Sequence, residues 1–182
     1  NTEYTDTSDY MSIGVIKSVI ENTNRIINGN DDYNVRSNIS WASTIGLNWI
    51  LGIDKVGDWA THRLSYALTK EYGITHGYAL AMIYTSWAKI AYKYNKETME
   101  RRLSILGKGL FNGLEGLSVL DELDKLFSSW GASVRMSSDL SINDEDINAM
   151  VKNALALGNV GTVVSIDYNK AVEIFKLANE VL

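Results

Sequence analysis

The chain has no proline among its 182 residues, so glycine is left as the principal helix terminator. Between the glycines, apolar residues recur at three- and four-residue spacing, and no stretch sustains the two-residue alternation of a strand. The expected fold class is therefore all-α, a multi-helix bundle of long helices joined by short turns. With 46% hydrophobic residues the chain can bury a sizeable core, which suits a single all-helical domain over 1–182.

About seven helices are expected. The first runs from roughly Asp9 to Ile27, with a stripe of Ile13, Ile16, Val19, Ile20 and Ile27 and with Ser8 or Asp9 as N-cap; Asn28-Gly29-Asn30 ends it. The second, roughly Asp32 to Leu51, carries Val35, Ile39, Ala42, Ile45, Trp49 and Ile50, closes at Gly52 and reads as a long core helix. A third begins near Asp58, and a fourth begins near Thr75 or His76 and continues through Ala91. The fourth is apolar almost all round, which predicts a central helix whose start lies deep in the fold. Further helices are expected from Asn95 to about Leu110, Glu115 to Trp130, Asn143 to Leu157, and from Ser165 onward. Ala132 to Ile142 reads as a polar connector and Asn159 to Val164 as a loop.

Several functions are disfavoured by composition. With 17 basic and 22 acidic residues the net charge is -5, and no basic run exceeds Arg101-Arg102, so no nucleic-acid partner is expected. The absence of cysteine rules out disulfides, iron–sulfur clusters and thiolate zinc sites, leaving oxygen and imidazole as the ligands for any metal. The opening NTEYTDTSDY lacks the basic and apolar regions of a signal peptide, and no later run is long enough to span a bilayer. A cytoplasmic protein without a membrane partner is the expectation. Glycines 107, 109, 113 and 116 do not make a phosphate loop, because RRLSIL before them reads as helix where a dinucleotide fingerprint needs a strand. They fit loose helix ends better, and no Gly-x-Ser-x-Gly elbow or Walker motif occurs.

The candidate chemistry rests on the only two histidines, His62 and His76. On one uninterrupted helix they would stand about 21 Å apart, too far to touch one ion. They meet only if the chain reverses between them, and Gly73 is placed to end a helix with a left-handed residue. Each histidine could equally be a hydrogen-bonded structural residue. Asp58, four residues before His62, could share its helical face as a metal partner or could cap the helix. The cap is the simpler reading, because Gly57 reads as loop.

The runs Gly57-Asp58-Trp59-Ala60-Thr61-His62 and Gly73-Ile74-Thr75-His76-Gly77 resemble the signature of the iron-containing (group III) alcohol dehydrogenases, in particular their butanol dehydrogenase-like branch. Asp32-Tyr33-Asn34-Val35-Arg36, Trp41 to Asn48, and Trp130-Gly131 to Leu140 resemble further stretches of that branch, so the likeness covers most of the chain. It implies an intact enzyme with an N-terminal α/β domain that binds NAD(P)H and a C-terminal all-α domain that holds Fe²⁺, or sometimes Zn²⁺, by one aspartate and three histidines. His62 and His76 match the last two histidines. The aspartate and first histidine belong to an Asp-x-x-x-His helix expected just before residue 1, and the dinucleotide-binding domain is expected to be absent as well.

The implied reaction is hydride transfer between a nicotinamide and a small aldehyde or alcohol, with the metal as Lewis acid. Taken alone, the chain is expected to bind metal weakly and to lack dehydrogenase activity. One position departs from the family: a second histidine usually follows four residues after the one matching His62, and Tyr66 stands there. An ordinary phenol titrates near pH 10 and relays protons less readily than imidazole, so Tyr66 is either an altered catalytic residue or simply packed. The resemblance also implies a homo-oligomer, with apolar surface left where the missing part packs. The rival expectation is a non-catalytic helical module for assembly or partner binding, derived from the same family.

Overall fold

A computed structural model describes residues 2–180 as eight α-helices, with a single isolated antiparallel bridge between Val160 and Ile166 in place of any strand. The helices are α1 (Asp6–Ile27), α2 (Tyr33–Leu47), α3 (Ala60–Tyr72), α4 (His76–Tyr94), α5 (Lys96–Leu110), α6 (Ser118–Ser129), α7 (Asp144–Ala154) and α8 (Tyr168–Ala178). Short 3-10 turns occupy Ile50–Gly52 and Met136–Ser138. Among the described residues, no helix is long and apolar enough to cross a membrane.

The apolar helix α4 is central, as its sequence requires. It packs against α3, α5, α6 and α8, while α7 closes the bundle between α3 and α8. Ala79, Met82, Ile83, Ala88 and Ala91 of α4 are fully or almost fully buried among Leu64 and Leu68 of α3, Leu103 of α5, Leu120 of α6, Ile147 and Met150 of α7 and Phe175 of α8. Each buried aliphatic or aromatic side chain contributes roughly 1.5–3 kcal/mol. Polar side chains fix several helix starts: Asp32 accepts from Val35 N–H at 2.9 Å, Asp167 from Lys170 N–H at 3.0 Å, and Asn143 forms a reciprocal capping box with Asp146.

Several expectations are corrected, the first being the number of helices, eight where about seven are expected. Helix α2 is not a core helix: only Val35 and Ala42 are buried, and it packs mainly on α1 and the 3-10 turn. Its apolar residues alternate with too many polar ones for a continuous stripe, and it stops at Leu47 because Trp49 turns left-handed. The start of α4 is not deep, since Thr75 and Gly77 are exposed and His76 is half-buried. Helix α1 begins at Asp6, one turn earlier than its apolar stripe, and Asp9 is not a cap but a buried ion-pair acceptor. The connector after α6 is also more than polar linker: Val134, Arg135 and Met136 are buried, with Arg135 reaching Asp124 at 3.4 Å.

Gly107 and Gly109 lie in the last turn of α5 and Gly113 and Gly116 just beyond it at positive φ, a helix end as expected but not a loose one. Gly107 C=O accepts from both Phe111 and Gly113 N–H, at 2.9 and 3.0 Å, folding the chain back on the helix. The returning Leu114 carbonyl comes so close that a Cβ on Gly107 would lie 1.8 Å from its oxygen.

Candidate functional site

The site is built at the corner between α3 and α4. Asp58 leads into α3, one of its carboxylate oxygens accepting Ala60 N–H at 3.0 Å and the other accepting Thr162 and Val163 N–H at 2.8 Å each. The N-cap position is Trp59, one residue later than expected, while Asp58 still accepts the first N–H of the helix and both its oxygens are engaged by the helix start and the loop before α8. His62 and Tyr66 follow one turn apart on α3, the spacing that puts side chains on one face. Gly73 then takes φ +67°, its N–H bonded to Thr69 C=O at 3.1 Å, and reverses the chain. After only two intervening residues, His76 opens α4.

That reversal brings the two histidine rings to 5.2 Å between centroids. Tyr66 stacks on His76 at 5.1 Å and 26°, and Trp59 meets His62 edge-on at 5.0 Å, with Trp49 beyond it at 5.5 Å. The His76 Nδ1 atom is buried and has no hydrogen-bond partner among the described residues. A buried imidazole nitrogen left unpaired is unfavourable unless it finds another partner, and a divalent cation is one that imidazole suits. Burial, then the nearby His76, lowers the pKa of His62 from its ordinary 6.5. At neutral pH its ring is uncharged, as coordination requires.

His62 and His76 are thus the two side chains that could hold a metal here. Among the described residues, no group of three or more acidic or histidine side chains is placed to hold an ion. Tyr66 is 53% exposed, so its ring is bounded by His76 on one side and open to solvent on another.

A feature that sequence reasoning missed adjoins the pair. His62 and Thr61 lie at the edge of an apolar groove of about 560 Å3, walled by Val15, Ile16, Val19 and Ile20 of α1, Leu80, Ala81 and Tyr84 of α4, Leu106 and Leu110 of α5, and Leu123, Leu126 and Phe127 of α6. The signal was present in the α1 stripe, whose isoleucines and valines have the periodicity of a core face yet stay only half-buried. Sequence periodicity shows that a face is apolar, not whether this chain covers it.

Comparison with known proteins bears on the family and the fold. The family model "Fe-containing alcohol dehydrogenase family, C-terminal" matches residues 1–179. The chain is 30% identical over 180 residues to the probable NADH-dependent butanol dehydrogenase 1 of Bacillus subtilis, covering 97% of this chain and 46% of that protein. It is 25% identical over 150 residues to an NADPH-dependent aldehyde reductase of Escherichia coli, covering 79% of this chain and 38% of that one. Its fold superposes on the crystal structure of NADH-dependent butanol dehydrogenase A from Thermotoga maritima with a TM-score of 0.84 and 29% identity, over 96% of this chain and 46% of the other. The chain therefore spans about half the length of the relatives it matches. A family match over nearly every residue and the shared helical fold together show that the chain belongs to the Fe-containing alcohol dehydrogenase family and corresponds to its C-terminal, all-helical portion.

Proposed function

We propose that residues 1–182 form a helical domain supplying two imidazole ligands, His62 and His76, to the divalent metal of an NAD(P)H-linked alcohol or aldehyde oxidoreductase. The observation that carries this reading is the pairing of two rings at 5.2 Å across a chain reversal, with the inner nitrogen of His76 left without a partner. Imidazole donors suit Fe²⁺ or Zn²⁺, and remaining ligands from a carboxylate and a third histidine would come from polypeptide outside these residues. When bound, the metal supplies Lewis acidity to the oxygen of a small aldehyde. In this chain, His62 stays neutral, Tyr66 orients His76 by stacking, and the apolar groove walls would exclude water from one side of the pair once the groove is filled. The nucleotide-binding part and the segment that fills the groove are likewise assigned to polypeptide outside residues 1–182.

The purified chain is expected to carry little metal by inductively coupled plasma mass spectrometry and to oxidise no NAD(P)H with butanal. Adding a polypeptide that carries the preceding family segment is expected to restore metal binding and turnover. Tight stoichiometric iron or zinc in the chain alone would contradict the two-ligand assignment.

A second reading, a helical assembly module without catalysis, is favoured by Tyr66 at the position where the family has imidazole. It predicts that the same mixture gives a stable, metal-free oligomer that never gains activity.

A further inference from the structure

The entry to α3 has an unusual backbone. Helices α2, α7 and α8 start from extended caps at Asp32, Asn143 and Asp167, whereas Trp59, the residue before α3, takes φ 62° and ψ -2°. Bulky side chains rarely adopt that left-handed region unless their surroundings hold them there. The conformation has one clear result. It lays the indole back over Gly57, where a Cβ would fall 2.6 Å from the indole nitrogen, and sets the ring edge-on against His62 at 5.0 Å.

The surroundings that hold Trp59 converge on its neighbour. One oxygen of Asp58 accepts Ala60 N–H, the first N–H of the helix. Its other oxygen accepts two more backbone N–H groups, from Thr162 and Val163, over a hundred residues away. Thr162 also donates its hydroxyl to Gly57 C=O at 3.2 Å, so the Gly57 backbone and the Asp58 side chain are pinned to the same loop. That loop is itself fixed. The Val160–Ile166 bridge closes it with bonds of 2.7 and 3.3 Å, and Asn95, at the α4–α5 junction, donates to Val163 C=O at 2.9 Å. Gly161, at φ +92°, lets the backbone approach: a Cβ there would meet Val164 C=O at 2.5 Å and the Asp58 carboxylate at 3.3 Å. Capping alone does not call for this second set of bonds, whereas fixing Gly57, Asp58 and Trp59 as one rigid corner does.

We propose that Asp58 is a positioning residue that acts through Trp59: by holding the left-handed corner it sets the indole against His62 and fixes the orientation of that imidazole. The proposal rests on the reading of His62 as a ligand for its purpose, but not for its test. Because the chain has only two histidines, the metal-free protein gives two sets of imidazole ring signals in a carbon-correlated proton NMR spectrum, assigned with His62→Gln. The edge-on indole displaces the His62 signals by its ring current, and Trp59→Gly, which suits the left-handed torsion, removes that displacement. Asp58→Asn keeps the side-chain volume but has one acceptor oxygen in place of two. It is expected to move the His62 signals by at least half of the way towards their Trp59→Gly positions, with the helical circular dichroism unchanged. In the Trp59→Gly background the same Asp58→Asn change is expected to move them no further.

A His62 signal that stays at its wild-type position in Asp58→Asn while the melting temperature falls would overturn the proposal and leave Asp58 as a cap and tether. An equal movement with and without Trp59 would also overturn it, because the effect would not pass through the indole. Failure of the ligand reading shows separately, as His62 and His76 signals unmoved by Zn²⁺ in the reconstituted mixture.

Discussion

At Gly73 a single torsion decides whether the two histidines can meet. Its φ of +67° is in the region where a Cβ is strained, yet nothing lies within 4 Å of where that Cβ would sit. Gly73→Ala is therefore a clean conformational perturbation, expected to cost about 1 kcal/mol in urea denaturation without steric damage. Tyr66 poses the opposite question, one of chemistry instead of shape. Tyr66→Phe keeps the ring stacked on His76 and removes only the hydroxyl. If Tyr66 relays a proton, kcat of the reconstituted enzyme at neutral pH should fall about 100-fold; an unchanged kcat would reduce its role to packing. Of these residues the turn at Gly73 and the meeting of the two histidines were legible in the sequence, because they follow from spacing and backbone preference. The Trp59 corner was not, since a tryptophan at positive φ is set by a loop a hundred residues later.

Between elements, α1 is joined to the bundle by charge as much as by apolar contact. Asp9 is 5% exposed and receives Arg102 of α5 through both oxygens, at 2.6 and 2.9 Å, together with Lys55 at 2.8 Å and the Thr5 hydroxyl at 2.9 Å. Burial alone pushes the Asp9 carboxyl up, but the hydrogen bonds from Arg102, Lys55 and Thr5 hold it well below its ordinary value of 3.8. The folded state thus binds that proton less readily than the unfolded one. Its stabilisation is present above pH 3.8 and is lost as the pH falls below that value towards the folded pKa. The stability gap between wild type and Asp9→Asn should be wide at pH 7 and close on acidification below about pH 4, read by urea melts across the range. Arg102→Ala strands the carboxylate with Lys55 as its remaining cation, and should cost about 3 kcal/mol, the lower end for breaking a buried pair.

The junction of α5 with the chain that follows it gives a second contrast between elements. At Gly107 an added Cβ meets the Leu114 backbone oxygen at 1.8 Å, whereas at Gly109 it meets the Ile13 side chain at 2.7 Å. Backbone cannot step aside, and a β-branched isoleucine whose Cγ1 and Cγ2 are both in the way must shift with its helix. Gly107→Ala should therefore cost about 3 kcal/mol, and Gly109→Ala about 1 kcal/mol, the helix preference of alanine offsetting part of the overlap.

Over the whole molecule, two apolar surfaces lack cover. One is the groove beside His62; the other carries Trp41, Leu47, Trp49, Ile53 and Val56, of which Leu47 is 80% and Trp41 64% exposed. Contiguous apolar area of this kind favours association. Size-exclusion chromatography with light scattering should show the isolated chain self-associating as its concentration rises and reverting when the complementary polypeptide is added; a clean monomer at high concentration would count against open apolar faces. By itself the sequence determined the helical class, most helix boundaries, the central place of α4 and the reversal that pairs the histidines. These follow from periodicity, glycine placement and caps, which act over one or two turns. Only the tertiary structure decided that α2 lies outside the core, that Asp9 is a buried ion-pair acceptor, that Asp58 binds a distant loop and that the α1 stripe lines an open groove. Each of those depends on what a face meets across the fold, and residue spacing carries no information about that.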